Sequence, residues 1–261
     1  MSDISIKNLS FAYEEGGKLI LNDITTEINS GEFVCILGQS GCGKSTLLRL
    51  LAGLEMPTGG KITIDGEEIK GTSLKRGVVF QDYGLYPWMS AGENIMLALK
   101  QCFPSEDKNK LKEKALDMID AVGLESEVYD KFPKELSGGM QQRCAIAQSL
   151  STNPPILLMD EPFGALDAVT RARLQDLIKD LWDKEEEKKT VFFVTHDVDE
   201  AILLGNRILV LGQSPSHIIF DYKAKKDWEL SRDNQFDDVE ALKLRNELIK
   251  QINLDVKSKI K

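Results

Sequence analysis

The sequence predicts an α/β fold: a parallel-sheet core with an N-terminal antiparallel β subdomain and an inserted α-helical subdomain. Three observations predict it. Short, continuously apolar runs recur at Phe33–Leu37, Ile156–Met159, Val191–Val194 and Ile208–Leu211, with helical stretches between them. That is the pattern of parallel strands buried on both faces. The N-terminal stretch instead alternates apolar with polar residues, as an antiparallel edge does. From about Gly84 to Asn153 the apolar residues recur at helical spacing.

Taken in order, Ile4, Ile6, Leu9 and Phe11, then Leu19, Leu21, Ile24 and Ile28, form two alternating runs with a turn at Gly16-Gly17. Phe33–Leu37 leads into a glycine-rich loop and a helical stretch from Lys44 to Leu54. Ile62–Ile64 and Val78–Phe80 are two further short strands. Three helices are expected over Glu93–Lys100, Asn109–Val122 and Gly138–Ser151; Gly123 closes the second and Pro133 separates it from the third. The charged run Asp183–Lys189 reads as a solvated helix end, and Ser216–Tyr222 as a candidate strand. Phe236–Ile252 has the spacing of an amphipathic helix through Phe236, Val239, Leu242, Ile249 and Ile252. It either packs on its own domain or meets a partner. The expected organisation is a core of 1–83 with 154–212, a helical subdomain of 84–153 and a C-terminal extension of 213–261.

Composition narrows the function. A chain of 261 residues accommodates one α/β domain with a smaller subdomain. Apolar residues at 42% and charged residues at 29% are those of a globular protein rather than a disordered one. A net charge of −9 argues against a nucleic-acid surface. No apolar run approaches the roughly 18 residues that span a bilayer, and the N-terminus lacks the basic and apolar blocks of a signal peptide. Cys35, Cys42, Cys102 and Cys144 form no CxxC pair, so free thiols in a reducing cytosol are expected.

The chemistry begins at Gly38. Gly38-Gln39-Ser40-Gly41-Cys42-Gly43-Lys44-Ser45 fits GxxxxGK[ST], after an apolar strand and before a helix. Such glycines let backbone N–H groups face a phosphate, and the helix start adds its positive dipole end. Lys44 supplies a point charge for the β and γ phosphates, and the Ser45 hydroxyl a ligand for Mg²⁺. The strand Ile156–Met159 ends in Asp160-Glu161, two carboxylates at the C-terminal end of a buried strand, where ligands bind in parallel sheets. Asp160 is expected in the Mg²⁺ shell and Glu161 as the group that polarises the attacking water. Between them lies the octet Leu136–Arg143, LSGGMQQR.

Phosphate loop, octet and acidic strand, in this order, resemble the ATP-binding cassette (ABC) ATPase family over roughly residues 3 to 212. The resemblance implies a P-loop NTPase (RecA-like) core that hydrolyses ATP with Mg²⁺. It implies that Gly38 to Thr46 hold the phosphates and that Tyr13 stacks on adenine, against the plainer reading of Tyr13 as a strand aromatic. It implies that Gln81 reaches the metal and the attacking water, and that His196, 35 residues after Glu161, contacts the γ-phosphate. Ser137, Gly138 and Gly139 are implied to reach a nucleotide held by a second subunit, and Gly164-Ala165-Leu166-Asp167 to sense that opposite site. One chain with one loop and one octet then works as an ATP-dependent dimer, most simply with a second copy of itself.

The segment Phe80–Ile95, FQDYGLYPWMSAGENI, resembles the nitrate/sulfonate/taurine branch of importers. That implies a peripheral subunit at the cytoplasmic face of the membrane, driving an integral permease served by a solute-binding protein, for a small anion or a vitamin precursor. Tyr83, Leu85, Tyr86, Trp88 and Met89 then line a permease groove, or else pack the helical subdomain. A soluble, non-transport ABC ATPase is the alternative. Cys42 is either a small residue that fits the loop or a thiol whose labelling blocks ATP.

Overall fold

The alternating N-terminal runs form β1 (Ile4–Phe11) and β2 (Leu21–Ile28), an antiparallel pair. Their buried positions change phase midway: Ile4 and Ile6, then Leu9 and Phe11, on β1, and Leu21, then Ile24 and Ile28, on β2. The cause is local. Asn8 and Asp23 adopt φ of 48° and 53°, so each strand bulges by a residue and keeps its apolar set inward. The Asn8 amide donates to the Asp23 carboxylate at 2.9 Å, tying the two bulges together. β4 (Gly59–Ile64) pairs with the other edge of β1, and β5 (Glu67–Glu68) follows it, giving the order β2-β1-β4-β5.

The computed structural model describes residues 3–183, 188–225, 228 and 230–259. The chain forms two compact units, Met1–Ser73 with Glu187–Lys261 and Leu74–Glu186. The first holds the antiparallel sheet and a run of strands centred on β3 (Phe33–Gly38), in which every residue is buried. β3 lies parallel to β8 (Thr190–Val194) and β9 (Arg207–Leu211), and β10 (Ile218–Lys223) closes the edge antiparallel to β9. Helices α1 (Lys44–Ala52), α6 (Val198–Leu204) and α7 (Val239–Lys259) belong to this unit.

The second unit pairs β6 (Arg76–Val79) in parallel with β7 (Ile156–Asp160). It also contains α2 (Ala91–Cys102), α3 (Lys108–Ala121), α4 (Gly138–Ser151) and α5 (Ala168–Asp183). Ser90 and Glu93 form a reciprocal capping box on α2, and Asp107 caps α3. Two short 3-10 turns, Ser126–Asp130 and Pro133–Glu135, lie where Pro133 interrupts the helical pattern.

Two expectations need correcting. α7 buries Ala241, Leu244 and Leu248, whereas Phe236, Val239, Leu242 and Ile249 are exposed and Ile252 only half-buried. Two interleaved apolar sets share the helical period, and packing against α6 and β10 selects the one with the small Ala241. In the charged run 183–189, Lys189 is buried beside β8 rather than solvated, and residues 184–187 lie outside those described. Among the described residues, no helix is long and apolar enough to cross a membrane.

Candidate nucleotide site

β3 delivers the chain to Gly38, where no side chain fits: a Cβ there would lie 2.6 Å from Cys42 Sγ and 2.8 Å from the Leu211 carbonyl oxygen. The loop ends at Gly43, left-handed at φ 101°, and α1 begins at Lys44. No side chain caps α1, and no acid lies in its first turn. The first-turn amides of a helix have no intrahelical acceptors, so this end suits an anion. Lys44 is buried, its ammonium donating to the Gly38 and Gln39 carbonyls at 2.9 and 3.0 Å. A cation folded into a loop of this shape fits the phosphates of ATP, with the Ser45 hydroxyl next along the helix.

The structure brings Tyr13 to this helix. Its hydroxyl lies 3.1 Å from Thr46 Oγ1, and its ring meets Phe11 edge-on at 4.9 Å. The side chain remains 56% exposed, so the ring is both positioned and accessible. Ser40 and Gly41 are exposed at the loop tip. Cys42 is not: it is buried, and desolvation pushes its thiol up despite the opposing pull of Lys44. Its sulfur packs under the loop, as the reading of Cys42 as a small residue that fits there expects.

His196 follows β8 and is exposed. The turn it sits in is built by neighbours the motif reading passed over. The Thr195 amide donates to the Ile36 carbonyl at 3.2 Å, and the Asp197 amide to Thr195 Oγ1 at 3.0 Å. Asp197 then caps α6 through the amides of Asp199 and Glu200. Asp197 was legible as an N-cap before an apolar run; Thr195, a buried hydroxyl bonded to Glu200, had no signal in the sequence.

In the second unit, β7 ends at Asp160 and Glu161 follows at φ 46°. A non-glycine residue in the left-handed region is uncommon and marks a constrained site. The Gly164 amide donates to the Glu161 carbonyl at 3.2 Å, closing the turn that sets this conformation. Ser137 is the N-cap of α4, accepting from the Met140 amide at 3.3 Å, which places Gly138 and Gly139 in the first turn. Gly139 has the Ala165 carbonyl beside it, at 3.4 Å from a Cβ built there. Asp167 caps α5, and the amide and hydroxyl of Thr170 hold its carboxyl below the usual range.

Gln81 stands exposed just after β6. The aromatic segment beyond it is held by a residue the sequence did not single out. Asn94, fully buried on α2, accepts from the Tyr86 amide at 2.7 Å and donates toward the carbonyls of Tyr86, Met89 and Ser90 at 2.9–3.3 Å. Tyr86 and Trp88, thus fixed, are 42% and 69% exposed with rings 5.3 Å apart. Leu85 and Met89 are half-buried, and Tyr83 turns inward, its hydroxyl 3.0 Å from a Cβ built at Gly138.

The candidate residues thus fall into two sets, each ordered within its own unit: Tyr13, Gly38 to Thr46 and His196 in one, and Gln81, Ser137 to Gly139, Asp160 and Glu161 in the other. Residues 21–164 match the family model described as ABC transporter. The chain belongs to the ABC transporter family. Over 99% of its length it is 42% identical to an uncharacterized ABC transporter ATP-binding protein of Methanocaldococcus jannaschii, covering 94% of that protein. It is 44% identical to an aliphatic sulfonates import ATP-binding protein of Bacillus thuringiensis subsp. konkukian, over 82% of this chain and 83% of that one. A nitrate import ATP-binding protein of Synechococcus elongatus is 42% identical, over 80% of this chain and 76% of that one. Among solved structures, a dimeric ATP-binding cassette in a post-hydrolysis state, bound to ADP and Pi, aligns with TM-score 0.77 at 35% identity. It covers 85% of this chain and 99% of that one. This ABC transporter chain is an ATPase, using ATP with Mg²⁺.

Proposed function

We propose that this ABC ATPase is the energising subunit of an importer, in which two copies close around two ATP and drive a separate membrane permease. The observation that carries the permease claim is the segment Tyr86–Trp88: two exposed aromatic rings on a loop made rigid by the buried Asn94. Exposed aromatics on a pre-shaped loop have the composition of an interface core. The sulfonate and nitrate import proteins among its relatives support the same reading, with a small anion as solute.

In this reading residues 1–83 with 154–212 form the ATP-binding core, 84–153 the signature subdomain and 213–261 an extension. MgATP supplies the phosphoryl group whose transfer to water releases the energy. Lys44 and the loop Gly38–Thr46 hold the phosphates, Tyr13 offers its ring to adenine, and Ser45, Gln81 and Asp160 are the residues that would hold Mg²⁺. Glu161, fixed in its turn, orients and polarises the attacking water, and His196 faces the γ-phosphate. Ser137, Gly138 and Gly139 present the start of α4 to the nucleotide of the second copy.

The test is co-purification of tagged Glu161→Gln protein with ATP from detergent extracts of its own cells, read by mass spectrometry. A small polytopic permease in the eluate is the expected result. A purely soluble partner set overturns the transport reading and leaves a non-transport ABC ATPase.

A further inference from the structure

The C-terminal extension reaches the phosphate loop. On α7, the Asp255 carboxylate accepts from the Gln213 amide at 2.8 Å. It lies so close that a Cβ built on Gly212 would stand 3.0 Å from its Oδ1. The Gln213 side chain donates to Gln39 Oε1 of the phosphate loop at 3.3 Å. The fully buried Ser216 hydroxyl donates toward the carbonyls of Cys42, in the same loop, and Gly212. Gly38, where the loop starts, lies against the Leu211 carbonyl. Residues 211–216 therefore form a bracket under the loop, and Asp255 fastens it from α7.

We propose that Asp255 is a positioning residue of the ATPase: through Gln213 and Gln39 it pre-organises the phosphate loop for nucleotide. The inference rests on the phosphate-loop reading given above. The Gln39 side chain would otherwise sample several rotamers, and the Gln213 backbone would be free to turn its amide away. Each contact that fixes the loop before binding removes an ordering cost from the binding step. α7 thereby gains a role that its packing against α6 and β10 does not require.

The experiment uses the full chain and two readouts, steady-state kinetics with MgATP and the rate at which Cys42 reacts with a maleimide, with Cys102 as internal control. Losing one such hydrogen bond in Asp255→Ala raises KM for MgATP about five-fold, with kcat changed by less than about two-fold. Cys42 reacts faster while Cys102 does not. Asp255→Asn restores both values, because its amide oxygen still accepts from the Gln213 amide. Gln213→Ala shifts KM the same way, and the double variant is no worse than the more affected single one, as for groups acting in series. Unchanged KM and Cys42 reactivity in Asp255→Ala overturn the proposal. So does a lowered KM in both Asp255 variants, which would make the carboxylate a simple repulsive charge. Should Asp255→Ala fail to fold, an unchanged KM in Gln213→Ala overturns it equally. Lys44→Ala separates the two readings: wild-type nucleotide binding there sinks the phosphate-loop assignment itself, whatever Asp255 shows.

Discussion

Asn94 spends its whole side chain on the backbone of residues 86–90, one acceptor and one amide group shared among three carbonyls. Removing it leaves a buried amide and carbonyls without their partner, a cost of about 2–4 kcal/mol for such a cluster. Asn94→Ala is therefore expected to lower the urea midpoint clearly, and Asn94→Asp to do no better, since a carboxylate cannot donate to the carbonyls. A midpoint unchanged in Asn94→Ala would show that the loop holds its own shape. The cysteines make a second prediction at this scale. Cys35, Cys42 and Cys144 are buried and Cys102 half-buried, and burial raises all four thiols. Mass spectrometry after brief maleimide treatment at neutral pH should find Cys102 modified first, with ATPase activity intact. Cys42 should follow only as pH rises. Activity lost in step with the first thiol modified would contradict the burial of Cys42.

Between elements, the ion network of β9 decides how the first unit answers acid. Arg207, nearly fully buried, bonds to Glu32 before β3, to Asp221 on β10, and to Thr26 and the Glu27 carbonyl on β2. Burial works against the charge on Glu32, but Arg207 and Lys223 outweigh it and hold the carboxyl below its usual range. A depressed carboxyl contributes stability that is present above its unfolded pKa, about 4.3 for Glu, and lost as pH falls through the lower folded value. Urea titrations should therefore show wild-type stability falling below about pH 4.5. Glu32→Gln should be less stable at neutral pH and flatter through that range. Parallel curves would remove Glu32 from the acid response. The β1–β2 bulges and the α7 face belong to this scale too: both follow from pairing and packing that a periodicity count does not contain.

At the scale of the molecule, the candidate residues are divided between two compact units, and Ser137–Gly139 opens a helix whose first turn suits a phosphate. A dimeric cassette aligns with 85% of the chain. Glu161→Gln with MgATP is thus expected to sediment as a dimer in a concentration-dependent way, and as a monomer without nucleotide. A monomer at all concentrations with ATP bound would count against shared sites.

The sequence by itself determined the fold class, the family and the order of the strands and helices apart from β5 (Glu67–Glu68), which no apolar pattern marks. Each of these is written locally: GxxxxGKS after a wholly apolar strand, LSGGMQQR at a helix start, and Asp160-Glu161 at a strand end are contiguous chemistry with its own spacing. Packing decided the rest. Asn94 bonds to backbone up to eight residues away, the Thr195 amide bonds to the Ile36 carbonyl on β3, and Asp255 meets the loop of Gly38 through Gln213, across more than two hundred residues of chain. The burial of Cys42 and the choice of α7's inner face depend on what lies opposite them. Short-range motifs record what a segment does to a ligand. Contacts between distant segments depend on how the chain closes on itself, and no local pattern of residue types carries that information.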